Sequence, residues 1–334
     1  MLIREELERA ERERLSPYAT LSEKSRGRDR EEEPCDIRPA FARDRDRIIH
    51  SKAFRRLKDK TQVFLNPEGD HYRTRLTHTL EVSQIARTIA RALKMNEELV
   101  EAIALGHDLG HTPFGHAGER ALNEVCPLGF RHNEQSVRVV DVLERDGEGL
   151  NLTYEVKDGM LNHQTRSHPS TLEGCIVRFA DKLAYIHHDM DDAIRAKVLT
   201  DADVPARIGE VLGYTTKERL DHLIHNIIAT SQGRNEICME EEFEKAMFDM
   251  RAFMFDRVYQ NPVVKAEESK AESLVKTLYV YYVHHRDELP VEYRKLMEKG
   301  ESAERVSCDY IASMTDHFAI TTYEELYIPK SWHG

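Results

Sequence analysis

The sequence predicts an all-α fold. Three observations carry this: apolar residues recur at helical spacing, a Ser-x-x-Glu cap announces one long helix, and strand and helix patterns do not alternate along the chain. Residues 1 to about 35 mix Arg and Glu densely, with Leu7 and Leu15 among few apolar anchors, so an exposed helix followed by a loose arm around Ser25-Arg26-Gly27-Arg28 is expected. The best strand candidate is Thr61 to Leu65. Asn66-Pro67-Glu68-Gly69-Asp70 supplies turn chemistry before His71 and Tyr72, so β structure is limited to at most a small hairpin near 61–75. Leu76, Leu80, Ile85, Ile89 and Leu93 then mark the core stripe of a helix starting near Arg75, and Val137, Val140 and Leu143 continue the pattern. Ser170-Thr171-Leu172-Glu173 reads as a capping box for a third long helix, with Ile176, Ala180, Leu183, His187, Met190 and Ile194 on one stripe. Periodic segments near 215–230, 238–258, 263–286 and 301–319 make the second half helical too.

Composition narrows the class. At 334 residues, 40% of them hydrophobic and 32% charged, the chain can build a large core and is not a disordered segment. A net charge of −12 argues against general coating of nucleic acid, which rests on an excess of Lys and Arg, although a local basic patch stays open. Cys35, Cys126, Cys175, Cys238 and Cys308 are odd in number and widely scattered, which suggests neither a disulfide framework nor a zinc knuckle. A cytoplasmic location is therefore expected, and no apolar run approaches the roughly 20 residues a membrane span needs.

The most informative stretch is Gly106-His107-Asp108-Leu109-Gly110-His111-Thr112-Pro113-Phe114-Gly115-His116, with three imidazoles and a carboxylate. Neighbouring His107 and Asp108 cannot share one helical face. Both can reach a cation where a helix ends, and Gly110 is expected to break the helix there. A single His is usually a packed core residue, whereas three in a Gly/Pro-punctuated segment point to chemistry. A divalent cation used for phosphoester hydrolysis takes imidazole and carboxylate ligands and keeps positions open. His78, His107, Asp108 and Asp181 supply that set from three helices, one starting near Arg75, one ending at Gly110 and one centred on Asp181. Taken singly, Asp181 reads as a solvated or salt-bridged residue and His78 as a packed one. His116 and Glu119, three apart, form a helix-spaced imidazole–carboxylate pair suited to general acid catalysis, the plainer reading of Glu119 being an exposed first-turn carboxylate.

The order His78, His107-Asp108, Asp181 resembles the HD superfamily of metal-dependent phosphohydrolases. Tyr18-Ala19-Thr20, Ser25-Arg26-Gly27-Arg28, Arg45-Asp46-Arg47-Ile48-Ile49-His50-Ser51, Phe54-Arg55-Arg56-Leu57, Lys60-Thr61-Gln62-Val63-Phe64 and Asp309-Tyr310-Ile311-Ala312-Ser313-Met314-Thr315-Asp316 look like its dGTP triphosphohydrolase-like branch. The resemblance implies an N-terminal arm at 1–45, an HD core at 46–200 and a C-terminal helical region at 201–334 packed on that core. It also implies hydrolysis of a deoxynucleoside triphosphate at the α-phosphorus, giving deoxynucleoside and intact triphosphate. The cation is Mg²⁺, Mn²⁺ or Fe²⁺, and the imidazole ligands lean toward a transition metal.

His116 and Glu119 match the family's catalytic positions, and His111 and His132 complete the site as phosphate-contacting or proton-handling groups. By the same resemblance Arg75, Lys182 and Arg251 face the phosphates, since cationic side chains stay charged and bind phosphate oxygens. Arg45, Arg47, Arg55 and Arg56 read as structural or intersubunit ion-pair residues. Asp181, Tyr185 and Asp189 recur at i, i+4 and i+8, so one helix face runs from metal to sugar. Tyr185 and Asp189 become sugar or base contacts, and Gln62 and Tyr259 stand near the deoxyribose. Relatives form rings or paired dimers, which implies a homo-oligomer, a dimer-based tetramer or hexamer, with dNTP as substrate and also as a candidate activator. Two rivals remain open: another HD phosphohydrolase acting on monophosphates, cyclic nucleotides or guanosine tetraphosphate, and a non-catalytic dNTP sensor or single-stranded nucleic-acid binder. The unbroken ligand set and the His116/Glu119 pair weigh against the second.

Overall fold

The computed structural model describes residues 2–62, 73–196, 198–260 and 262–330, without the side chains of Tyr259 and residues 262–264. Every regular element among these residues is a helix, and their β pairing is confined to two isolated antiparallel bridges, Arg28 with Thr153 and Thr61 with Thr74. The fold is all-α, as the periodicity predicts. The body of the expected hairpin, residues 63–72, lies outside the described residues. No described helix is long and apolar enough to cross a membrane.

The chain forms two compact units. Met1–His50, Thr77–His107 and Asn151–Asn261 make the first, and Ser51–Leu76, Asp108–Leu150 and Pro262–Gly334 the second. In the first unit, Val82, Ile85, Ile89, Leu99, Ile103, Ile176 and Leu183 from three helices are all buried. Leu80 departs from its expected place in the core stripe: it sits two residues from Val82, on the opposite side of the helix, and is 50% exposed. Leu7 is likewise exposed rather than an anchor. The stretch at Ser25–Arg28 is not a loose arm. Ser25 Oγ and the Arg26 N–H both donate to the Glu155 carboxylate at 2.7 Å, Arg28 pairs with buried Asp44, and Arg26 lies 3.6 Å over the Tyr154 ring.

Three element boundaries also differ from expectation, each for a local reason. The helix before the His-rich run spans Glu97–Gly106, opened by Asn96 accepting the Glu98 and Leu99 N–H groups, so it stops four residues before Gly110. The cap of the Leu172–Arg195 helix is Thr171, which accepts the Gly174 N–H. Glu173 does not close a box there but turns inward, fully buried, to accept from Thr20 and from the Asn96 N–H. The segment at 301–319 is two helices, Ala303–Ser313 and Asp316–Tyr327, because Met314 is extended and Thr315 starts a new helix by accepting the Phe318 N–H. The short Val291–Glu298 helix has no counterpart among the expected segments.

In the second unit a buried polar frame ties the His-rich turn to the C-terminal helices. Asp309, fully buried, accepts from Gln135 at 2.9 Å and from Arg138 at 2.7 Å. Asp316 accepts the Phe114 N–H at 2.9 Å and the Thr61 N–H at 3.0 Å. Lys60 donates to the carbonyls of His111 and Ala312. Gly110 matters here through proximity: a Cβ on it would stand 2.2 Å from the Ser136 nitrogen and 2.4 Å from the His132 carbonyl oxygen.

Gly110→Ala should therefore destabilise the protein by about 3 kcal/mol, the upper end for overpacking against backbone, read as a fall in the urea midpoint. Burial, and then the charge of Arg56, push Lys60 down to about 7. Between that value and the usual 10.5 the unfolded chain holds a proton that the folded one lacks, so this group makes stability rise with pH through that window. Unfolding measured from pH 6 to 10 should show the rise in the wild type, and Lys60→Met should flatten it.

Candidate functional site

Two clusters of titratable side chains emerge, one in each unit. In the first, three helices deliver one group apiece: His78 from the first turn of Arg75–Leu93, His107 at the C-cap of Glu97–Gly106, and Asp181 from the middle of Leu172–Arg195. Oδ1 of Asp181 lies 3.2 Å from His78 Nε2 and 3.7 Å from His107 Nε2. The His107 Nδ1–H donates to the Ala104 carbonyl at 2.7 Å, so in the neutral ring Nε2 carries the bare lone pair. A bare nitrogen facing a carboxylate oxygen is repulsive unless a proton or a cation stands between them. Donor atoms about 3 Å apart are what a cation with ligands at about 2.0–2.2 Å requires. Burial pushes Asp181 up, but with a proton on the facing nitrogens His107 and His78 outweigh it and hold the carboxyl well below its usual range, in the form a cation binds.

Two further histidines line this cluster. His163, two residues past the Tyr154–Leu161 helix, repeats the anchoring of His107: its Nδ1–H donates to the Met160 carbonyl at 2.7 Å, and its ring meets His107 edge-on at 5.0 Å. His188 is buried, with its ring edge-on to His78. Neither stands in a motif or at a diagnostic spacing, so sequence reasoning passed them over. The expected Asp181, Tyr185 and Asp189 row is present on one helix, and it runs inward: Tyr185 is half-buried and Asp189 fully buried. Lys182 is lowered to about 8 by burial and then by Arg178, with exposed Arg251 also acting on it. The Tyr259 side chain lies outside the described residues. Arg45 and Arg47 make ion pairs within the chain, with Asp46 and Glu32.

The second unit assembles the other expected residues. Glu119 stands between two imidazoles: Oε2 lies 2.9 Å from His116 Nδ1, and Oε1 lies 2.9 Å from His132 Nδ1 and accepts the His132 backbone N–H at the same distance. The His116 side chain is 58% exposed whereas His132 is buried, so the relay has a wet end and a dry one. Burial would raise Glu119, but hydrogen bonds with His116 and His132 prevail and keep it ionised far below the usual range. His111 stacks on His132 at 4.0 Å, and burial, with Arg75 and His132, holds it neutral. Asp108 is engaged at both oxygens: Arg75 Nη1 donates to Oδ2 at 2.9 Å, and His111 Nε2 lies 3.3 Å from Oδ1. Arg75, expected at the phosphates, is thus buried against Asp108. Gln62 is half-buried, and its Oε1 has no partner among the described residues.

Comparison with known proteins adds the lineage. Residues 75–186 match the HD domain model and residues 237–325 the phosphohydrolase-associated domain model. The chain is 57% identical to a deoxyguanosinetriphosphate triphosphohydrolase-like protein of Caldanaerobacter subterraneus subsp. tengcongensis, covering 99% of this chain and 98% of that one. It is 49% identical to a protein of the same description from Desulfatibacillum aliphaticivorans, over 98% and 99%. A solved phosphohydrolase structure from Bacteroides thetaiotaomicron VPI-5482 shares the fold at a TM-score of 0.53, with 17% identity over 84% of this chain and 67% of that one.

A carboxyl held below its usual value stabilises the fold above the unfolded value and loses that contribution as pH falls. Glu119→Gln should therefore be less stable than wild type by about 2 kcal/mol at pH 7, the scale of a charge-assisted hydrogen bond. The gap should narrow below pH 4.5, the usual carboxyl value, when denaturant midpoints of both proteins are compared across pH.

Proposed function

The chain belongs to the deoxyguanosinetriphosphate triphosphohydrolase-like family of HD phosphohydrolases, and from that premise we propose that it hydrolyses deoxynucleoside triphosphates, dGTP or several dNTPs, to deoxynucleoside and inorganic triphosphate. The observation that carries the reading is the convergence of two imidazole nitrogens, one of them bare in the neutral ring, on the Asp181 carboxylate. His78, His107 and Asp181, with Asp108 next along the chain, hold the divalent cation, for which Mg²⁺, Mn²⁺ and Fe²⁺ are the candidates. When bound, such a cation lowers the pKa of water and neutralises charge on the attacked phosphoryl group.

The chain's own groups do the rest. Water attacks the α-phosphorus and releases a proton to solvent, and the new P–O bond forms as the bond to the 5′ oxygen breaks. That oxygen is a poor leaving group as an alkoxide, so His116 donates a proton to it. Glu119 orients the imidazole through Nδ1, and buried His132 keeps the carboxylate in place. His111, neutral, handles protons or contacts phosphate. Arg75 orients Asp108 and, with Lys182 and Arg251, offsets the triphosphate charge. Tyr185, Asp189, Gln62 and Tyr259 contact sugar or base. A dimer-based homo-oligomer with nucleotide as activator completes the reading.

The test is a panel of the four dNTPs with each ion, aerobic and anaerobic, with products resolved by chromatography. Tripolyphosphate and deoxynucleoside are expected, while orthophosphate or pyrophosphate alone would overturn the reading in favour of another HD phosphohydrolase. His116→Ala should lower kcat by about 10²–10⁴-fold, the usual contribution of a positioned acid. His107→Ala should abolish turnover, and undiminished activity in that variant would discredit the cation site.

A further inference from the structure

The two helices that bring His78 and Asp181 together are linked a second time. Glu81 follows His78 by one turn on the Arg75–Leu93 helix, and His188 follows Asp181 by two turns on the Leu172–Arg195 helix. His188 Nδ1 lies 3.0 Å from Glu81 Oε2, beside the 3.2 Å approach of His78 to Asp181. His188 is 3% exposed, and its ring meets the His78 ring at 89° with centroids 6.1 Å apart. The edge of one imidazole therefore faces the other.

We propose that His188, held by Glu81, is a positioning residue that sets the orientation of the His78 imidazole and so governs how tightly the divalent cation is held. The proposal rests on reading His78 and Asp181 as cation ligands. His188 is buried while the Glu81 side chain stays 36% exposed, and an ion pair with one solvated partner adds little stability. A buried imidazole placed beside a ligand ring is what the pair offers instead. Residues that orient metal-bound histidines typically change affinity by about 10–100-fold when removed.

The experiment titrates Mn²⁺ into chelator-stripped full-length protein, following free ion by electron paramagnetic resonance and the metal-free unfolding midpoint in parallel. His188→Ala and Glu81→Gln should weaken Mn²⁺ binding by about 10-fold or more, and turnover should recover at saturating Mn²⁺. Glu81→Gln keeps the side-chain shape and should leave the metal-free midpoint within about a degree, which separates positioning from packing. Wild-type affinity in both variants overturns the proposal. So does an affinity loss in His188→Ala alone that comes with a lowered metal-free midpoint, while Glu81→Gln binds normally. His78→Ala serves as the reference: if it too binds Mn²⁺ like wild type, the underlying cation reading has failed, whereas its loss beside two normal variants rejects the His188 inference alone.

Discussion

One hydrogen bond decides the character of the first cluster: the His107 Nδ1–H donated to the Ala104 carbonyl. It commits the only ring proton of the neutral imidazole to the backbone and turns the other nitrogen, unprotonated, toward Asp181. Because His107 caps the Glu97–Gly106 helix, its acceptor is a helix-terminal carbonyl that would otherwise lack an intrahelical donor. Helix end and tautomer choice are thus one event. His163 repeats it at the end of the neighbouring helix, with the same anchor three residues back. Two neighbouring helix termini thus hold their imidazoles by the same Nδ1 anchor, ring edge to ring face.

The second cluster follows a different logic. Its carboxylate, Glu119, is surrounded by donors, and its neighbours differ in exposure rather than in kind. The frame that holds this region is polar and buried: Asp309 and Asp316 accept from Gln135, Arg138, Thr61 and Phe114, and Lys60 spans two carbonyls. Such a network tolerates little displacement, since each lost partner would orphan a buried group.

Much of the fold was legible in the sequence, because helical periodicity reports burial directly. The Arg75–Leu93 and Leu172–Arg195 helices, and the residues of the His-rich run, were readable from spacing and composition. What was not legible depends on three-dimensional neighbours. Glu173 looked like a capping residue because its competing partners, Thr20 and Asn96, are remote in sequence. Gly110 looked like a helix breaker, yet its small size answers to Ser136 and His132. Leu80 shares the apolar character of a stripe to which its helical angle does not belong. His163 and His188 carried no local signature, since their relevance lies in the rings they touch. The cation set and the His116/Glu119 pair follow from residue chemistry and spacing, whereas the phosphate, sugar and base contacts follow from family resemblance alone.

Phe114 adopts φ +61°, a left-handed conformation unusual for a residue with a side chain, and Gly115 follows at φ +54°. The ring is buried in the second unit's core while the backbone is bent the costly way, at an expense of about 1–3 kcal/mol. Glycine at 114 would relieve the bend and empty the core, whereas an aliphatic side chain would keep the bend and fill the core less well. Position 114 therefore answers to two opposing demands, and the imidazole two residues downstream takes its bearing from that compromise.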